Sequence, residues 1–262
     1  MAFLEVVMSI VSTTLAGSGS EKTIVRALTS IEPHVDRCLV IITCPDEDAV
    51  IEGRAIEGAG PKLEVKRWTW CDDFGAARNA ALDLARELGA SWTVTCDSDE
   101  WWEDADELRP TLARARDERC FYAYNGSRQY VQPRAIAIPC AKRWNGRVHE
   151  CLDLRGPALK RARFCEDPKT PEQIRAKAAR DLRELWQLAQ EEPENPRWRY
   201  YLGEALNHVD DLNGALAAYE KAVELQPANP KALYGIGKVL DRLNRPDEAT
   251  VMYRRSREMT GR

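Results

Sequence analysis

The sequence predicts an α/β unit with a mostly parallel sheet, followed by an all-α unit built from repeats. From residue 3 to about 126, strand-like and helix-like segments alternate, which is typical of a parallel sheet covered by helices. After about residue 168 the composition shifts to Ala, Leu, Arg and Glu, and several residues recur 34 positions apart. We therefore expect two domains, spanning residues 1–165 and 166–262.

The α/β unit contains five predicted strands, each an apolar or β-branched run bounded by turn residues. They cover residues 4–11, 38–43, 63–68, 91–96 and 120–124. Amphipathic helices are predicted at 21–30, 47–57, 75–88 and 106–117. Residues 126–153 are rich in β-forming and turn residues and include the hairpin signal Asn145-Gly146. We expect this segment to form antiparallel strands that close over the site.

The all-α unit is predicted to contain two complete repeats and a partial one before them, at 170–192. Residues recur as Asn195-Pro196 and Asn229-Pro230, Gly203 and Gly237, Ala215 and Ala249, and Tyr219 and Tyr253. This pattern resembles tetratricopeptide repeats, in which small residues lie where two helices cross and aromatic residues fill the gaps. Such repeats bury their apolar faces only by stacking. We expect the unit to recruit a partner or to form a homodimer.

The strongest functional signal follows the fourth predicted strand, which leads directly into Asp97-Ser98-Asp99-Glu100. Ligands of open α/β sheets bind at the carboxyl ends of the strands. In an extended segment the carboxylates of Asp97 and Asp99 point the same way, and a hard cation takes oxygen ligands of this kind together with phosphate. The acids therefore predict a metal–nucleotide site. The alternative is that both acids cap a helix beginning near Glu103.

Two other blocks accompany these acids. The first block is Trp70-Cys71-Asp72-Asp73-Phe74-Gly75-Ala76-Ala77-Arg78-Asn79-Ala80-Ala81, and the second is Trp144-Asn145-Gly146-Arg147-Val148-His149-Glu150-Cys151-Leu152. Together with the acids, they resemble the family-2 glycosyltransferases of the GT-A fold, over roughly residues 3–153. The resemblance implies metal-dependent transfer of a sugar from a nucleotide-sugar donor, with a UDP-sugar expected, to a peptide, protein or glycan acceptor.

The same resemblance implies a set of site residues. Metal ligands for Mn²⁺ or Mg²⁺ are expected at Asp97, Asp99 and His149. Nucleotide-sugar contacts are expected at Thr13, Thr43, Asp73, Arg78, Asp97 and Trp101. Transfer with inversion needs a carboxylate that accepts the acceptor proton, and Glu150 and Glu100 are the candidates. The structural alternatives are a helix N-cap for Asp73 and a core position for Trp101 or Trp102.

The loops after the first two strands depart from the resemblance. Residues 13–20 replace the Lys-Asn-Glu that is common in the related branch of that family. After the second strand, Thr43-Cys44-Pro45-Asp46 replaces the usual Thr-Gly-Ser-Thr-Asp. Two alternatives therefore stay open. One is a non-catalytic repeat scaffold on a degenerate GT-A fold. The other is a sugar-phosphate nucleotidyltransferase, although the Gly17-Ser18-Gly19-Ser20 turn carries no basic residue for that chemistry.

Composition argues against several other classes. No run of about 18 apolar residues suggests a membrane span, and the amino terminus reads as a strand without a basic lead, so we expect a cytoplasmic protein. The net charge of −4 argues against broad nucleic-acid binding. The eight cysteines include no Cys-x-x-Cys pair and are expected to be buried free thiols.

Overall fold

The amino-terminal unit is a mixed α/β structure built on one large sheet. In the computed structural model residues 8–260 are described, and the chain divides into two compact units between Asp167 and Pro168. The strands of the sheet are β1 (Ile10–Ala16), β2 (Arg37–Ile42), β3 (Leu63–Arg67), β4 (Trp92–Thr95), β5 (Glu100–Glu103), β6 (Cys120–Asn125), β7 (Val131–Ala137) and β10 (Ala158–Glu166). A separate small pair consists of β8 (Trp144–Asn145) and β9 (Cys151–Leu152).

The order of the strands brings several functional segments to one edge of the sheet. Within residues 8–260 the order is β3-β2-β1-β4-β7-β6-β10-β5. Strands β1 to β4 are parallel, β7 is antiparallel to both β4 and β6, β10 is parallel to β6, and β5 is antiparallel to β10. The carboxyl ends of β1, β2, β4, β6 and β10 therefore lie at the same end of the sheet as the amino ends of β5 and β7. We call this end the carboxyl edge.

Helices cover both faces of the sheet, which explains why its central strands are apolar at successive positions. The helices are α1 (Ile24–Ile31), α2 (Asp48–Ala59), α3 (Phe74–Glu87) and α4 (Leu108–Arg114). On one face Val40 and Val94 pack in a buried cluster with Leu28 and Ile51 of α1 and α2. On the other face Leu39 packs with alanines of α3. This alternation follows the two-residue period of a strand.

The first predicted strand was wrong in position. It was placed at residues 4–11, of which 4–7 lie outside the described residues, and β1 instead runs to Ala16. Thr13 and Thr14 were expected in a loop but lie inside the strand. The reason is pairing on both sides, since Thr13 lies opposite Leu39 of β2 and Thr95 of β4.

Two strands were missed, β5 and β10, which pair with each other at the far edge of the sheet. Strand β5 has four residues, two of them glutamates, and β10 carries exposed charges in Lys160-Arg161. Strand β5 is short and lies at the edge, where charged residues are common, and the charges of β10 interrupt the apolar pattern that marks the central strands. The alternative that Asp97 and Asp99 cap a helix beginning near Glu103 is wrong, because β5 ends there and α4 begins later, at Leu108.

The carboxyl-terminal unit is a tetratricopeptide-like stack of helices. They are α5 (Pro171–Glu191), α6 (Pro196–His208), α7 (Leu212–Leu225), α8 (Pro230–Arg242) and α9 (Pro246–Thr260). The recurring Asn-Pro pairs start equivalent helices, because Asn195 and Asn229 each accept a backbone hydrogen bond as N-cap and proline follows at the first helical position. The partial unit is α5, which begins with a capping box at Thr170.

Recurring glycines allow the helices of this unit to approach tyrosine rings closely. A Cβ atom at Gly203 would lie 2.7 Å from Cδ1 of Tyr219, and one at Gly237 would lie 2.5 Å from Cε1 of Tyr253. Tyr219 is fully buried. The predicted association of small residues with aromatic side chains is confirmed.

Two further features concern the whole described chain. No helix in residues 8–260 is long and apolar enough to cross a membrane. All eight cysteines are free. Four of them are buried as expected, at positions 38, 96, 120 and 165, whereas Cys71 is exposed.

Gly203→Ala should destabilise the helical unit. The added methyl group has no room beside the buried Tyr219 ring, so we expect the free energy of unfolding to fall by about 1–3 kcal/mol. Gly53→Ala is the control, because Gly53 lies in α2 and a Cβ atom added there would have no neighbour within 4 Å. It should be neutral or stabilising by up to about 1 kcal/mol. Urea denaturation followed by circular dichroism measures both. Equal effects would contradict the packing account.

Candidate active site

Arg78 lies between two carboxylates at the carboxyl edge of the sheet. Its Nε donates to Oε1 of Glu150 at 2.6 Å, while Nη1 and Nη2 donate to the two oxygens of Asp97 at 3.0 and 2.9 Å. All three side chains are largely shielded from solvent. Burial alone would lower the pKa of Arg78, but Asp97 and Glu150 together raise it well above its ordinary value. The guanidinium therefore stays charged.

A second arginine, Arg134 of β7, continues this network into the interior. Its two terminal nitrogens donate to Glu100 at 2.7 and 2.6 Å, and Nη1 lies 3.9 Å from Oδ2 of Asp97. Burial raises the pKa of Glu100 to about 7, Arg134 opposes that rise, and Asp97 adds to it. These side chains form a series of ionic contacts in space, which we call the ionic chain. Its members are, in order, Glu150, Arg78, Asp97, Arg134 and Glu100.

The two sequence blocks that accompany the acids meet in space through α3 and the β8–β9 segment. Asn79 donates to the carbonyl of Trp144 at 3.0 Å and accepts from its N–H at 2.8 Å. The N–H of Phe74 donates to the carbonyl of Arg147 at 2.9 Å. A Cβ at Gly75 would lie 2.8 Å from the carbonyl oxygen of Gly146. Residues 70–81 and 144–152 are therefore packed directly against each other.

Asp73 has the structural role that was the alternative to a nucleotide contact, that of a helix N-cap. It is the N-cap of α3, and its Oδ1 accepts a hydrogen bond from the N–H of Ala76 at 2.8 Å. A cap of this kind satisfies one of the free N–H groups of the first helical turn. The nucleotide contact expected at Asp73 stays a prediction.

His149 and Glu150 lie in a bend, and the expectation that they belong to an extended segment is wrong. Strand β8 ends at Asn145 and β9 starts at Cys151. His149 has a left-handed backbone with φ of 50°, a conformation that is uncommon for a residue with a side chain. The bend directs Glu150 to Arg78, which simple alternation along a strand does not predict.

Asp99 and Ser98 form the turn between β4 and β5, beside the loop that follows β1. Asp99 is exposed, and Oγ of Ser98 lies 2.8 Å from Oγ of Ser20. The Glu47 carboxylate accepts from Oγ of Ser18 at 2.6 Å and from the N–H of Gly19 at 2.9 Å. Since a carboxylate already occupies this loop, the geometry favours a turn there over a phosphate-binding loop.

The other predicted contacts are distributed around this edge. Thr13 and Arg78 line one crevice together with Thr95 and Trp144. Thr43, next to β2, donates its hydroxyl to the carbonyl of Ala16 at 3.2 Å.

The two neighbouring tryptophans of β5 differ in environment. The guanidinium of Arg26 lies 4.0 Å from the ring centre of Trp101, so one face of that ring is covered. Trp102 is a core residue, as one of the pair was expected to be.

The acids do not form a metal cage made by protein alone. Among the described residues, no group of three or more His, Cys, Asp and Glu side chains is placed to hold a metal ion. Mg²⁺ is typically bound by one or two carboxylates plus substrate phosphates. Metal binding by Asp99 and the neighbouring Asp97 therefore stays a prediction.

Sequence reasoning missed Arg134. It begins the buried half of β7, two residues after the exposed Gln132, and no motif surrounds it. The available signal was chemical: an arginine in a buried strand requires a carboxylate partner. The sequence does not reveal that Glu100 is that partner, because β5 itself was not predicted.

Comparison with known proteins gives a family match over one repeat and distant relatives over most of the chain. The family model described as TPR repeat matches residues 210–244. The SPbeta prophage-derived glycosyltransferase SunS of Bacillus subtilis (strain 168) is 21% identical over 220 residues, covering 77% of this chain and 50% of SunS. Glycosyltransferase SunS of Bacillus phage SPbeta gives the same values. The chain thus spans about half the length of the curated relatives it matches.

Among solved structures, MamA residues 41 to the end from Desulfovibrio magneticus RS-1 is 24% identical with a TM-score of 0.32. The match covers 34% of this chain and 50% of that one. The family match and the SunS similarity therefore support a tetratricopeptide-like repeat and a distant relationship to a glycosyltransferase.

Arg78→Gln should destabilise the α/β unit, because it leaves Asp97 and Glu150 without their shared cation. Loss of one partner of a shielded ion pair costs about 3 kcal/mol. Arg86→Gln, an exposed position in the same helix, should stay within about 0.5 kcal/mol of the wild type. Thermal and urea unfolding of the two variants measure the difference. If Arg78→Gln unfolds like Arg86→Gln, the ionic chain contributes nothing to stability.

Proposed function

We propose that this protein is a metal-dependent glycosyltransferase of the GT-A type, which moves a sugar from a nucleotide-sugar donor to an acceptor. The observation that carries the proposal is the meeting of three sequence blocks at one edge of the sheet, around Arg78, Asp97 and Glu150. The distant similarity to SunS, a glycosyltransferase, supports the same chemistry.

The arrangement of the sheet supports a nucleotide site. The order β3-β2-β1-β4, with all four strands parallel, is that of many nucleotide-binding α/β proteins. In such sheets the ligand lies beyond the carboxyl ends of the strands. Thr43 and Asp97 follow β2 and β4 closely, whereas Thr13 lies within β1. We assign the donor, with a UDP-sugar as first choice, to this edge.

The leaving group of the reaction is a nucleoside diphosphate, whose developing negative charge must be stabilised. Bound Mn²⁺ or Mg²⁺ supplies that stabilisation. Asp99 and Asp97 are the proposed ligands, and His149 is not placed with them as a third ligand in the part of the chain that the structure describes. Arg78 holds Asp97 in place and presents a permanent positive charge at the same edge.

Glu150 is the better candidate for the base that takes the acceptor proton. It lies in the bend between β8 and β9, and Arg78 donates to its Oε1. Glu100 is buried, and both its oxygens accept from Arg134. A base must reach the proton that it removes, which favours Glu150. Direct attack by the acceptor on the anomeric carbon, with loss of its proton to Glu150, gives inversion.

The acceptor is proposed to be a peptide or protein. The support for this choice is the tetratricopeptide-like unit, since repeat stacks of this class present extended surfaces to partners. The unit would recruit the acceptor or a second copy of the chain. A glycan acceptor is the alternative.

Asp99→Asn should weaken metal-dependent nucleotide binding at least ten-fold without unfolding the protein. Asp99 is exposed in its turn, so its loss removes a ligand for the cation and leaves the core intact. The measurement is calorimetric titration with UDP, GDP and CDP, each with and without Mn²⁺. Asp117→Asn is the control, because Asp117 is an exposed aspartate between α4 and β6. This variant should bind as the wild type.

Two outcomes would contradict the proposal. If the wild type binds none of the three nucleotides in the presence of Mn²⁺, the non-catalytic scaffold becomes the better account. If Asp99→Asn and Asp117→Asn bind equally well, the metal is not held by Asp99.

A further inference from the structure

We propose that Arg134 and Glu100 act as a positioning pair that holds Asp97 in the geometry needed for the metal–diphosphate complex. This inference rests on the proposed function. It assigns to Glu100 a supporting role instead of catalysis, and it gives a role to Arg134, which no sequence motif indicates.

The pair contacts Asp97 at both its side chain and its backbone. Oε2 of Glu100 accepts the N–H of Asp97 at 3.0 Å. Nη1 of Arg134 lies 3.9 Å from Oδ2 of Asp97. Arg78 binds both Asp97 oxygens through its Nη1 and Nη2 atoms. Two guanidinium groups and one backbone hydrogen bond therefore fix Asp97 where the chain leaves β4.

Arg134 is itself fixed by several strands. It is 2% exposed, it donates to Oε1 of Gln132 at 2.8 Å, and its guanidinium lies 3.7 Å from the ring centre of Phe164. Its partner Glu100 is 6% exposed and begins β5. The pair thereby links Asp97, at the end of β4, to side chains of β5, β7 and β10.

A buried ion pair is an inefficient way to stabilise a fold. Removing two charges from water costs several kcal/mol per ion, so apolar replacement of both partners is often neutral or stabilising, whereas removal of one is costly. A carboxylate that binds a cation must, however, be held in a defined orientation by surrounding hydrogen bonds. We therefore attribute the pair to the orientation of Asp97 and not to the stability of the fold.

This difference between single and double replacement provides the test. The variants are Arg134→Met, Glu100→Gln and the double variant that carries both. Methionine keeps an apolar contact with Phe164, and glutamine keeps an oxygen for the Asp97 N–H. We expect each single variant to lower the unfolding midpoint, because it leaves one buried charge unpaired. The double variant carries neither charge and should recover most of the loss.

Binding is then measured in the double variant by calorimetric titration with Mn²⁺ and the nucleotide that the wild type binds among UDP, GDP and CDP. The positioning role predicts a dissociation constant at least ten-fold weaker than that of the wild type, although stability is restored. The control is the double variant Glu103→Gln with Arg163→Met. This ion pair also involves β5, which it joins to β10, but it is partly exposed, so its loss should leave both stability and binding unchanged.

The outcomes separate the two proposals. If the wild type binds a nucleotide and the stable double variant binds it equally well, the positioning role is overturned while the proposed function stands. If the wild type binds none of the nucleotides, the proposed function fails and this inference fails with it. If the control variant also loses binding, the effect is not specific to Asp97, and the inference is overturned.

Discussion

The shared binding of Arg78 by Asp97 and Glu150 is the interaction on which the site depends. The three residues come from α3, from the end of β4 and from the bend between β8 and β9. Each carboxylate alone, in a shielded position, would be unfavourable because it lacks a countercharge. One guanidinium satisfies both, and its planar set of donors suits two carboxylates at once. The position of each segment is therefore set by the other two.

The same electrostatic logic extends into the sheet. Asp97 lies between Arg78 and Arg134, and Glu100 balances the second of these cations. Acids and arginines thus alternate from Glu150 to Glu100 without two like charges as direct partners. A cluster of three acids within four residues is expected to repel itself. Here two of them face arginines, and the third, Asp99, is exposed at the turn.

The carboxyl-terminal unit obeys a different constraint, which is close packing. Glycines at 203 and 237 allow helices to approach the rings of Tyr219 and Tyr253, and the asparagine caps fix where each helix begins. These are local features that recur every 34 residues, so the sequence alone displays them. The partial unit α5 could be predicted for the same reason. The repeat is therefore the part of the molecule in which sequence and structure agree most closely.

In the α/β unit, the sequence by itself determined the strands β2, β4 and β6, since their apolar runs reflect burial beneath the covering helices, and also the partly buried edge strand β3. Its motifs also marked Arg78, Asp97 and Glu150 as residues of one site, and in the structure these three side chains are hydrogen-bonded to each other through Arg78. Tertiary structure alone decided the edge strand β5 and its neighbour β10, the length of β1, and the pairing of Glu100 with Arg134. The physical reason is that local patterns record burial and backbone preference, whereas a strand rich in charged residues, or a charge inside the sheet, is stabilised by partners far away in the chain.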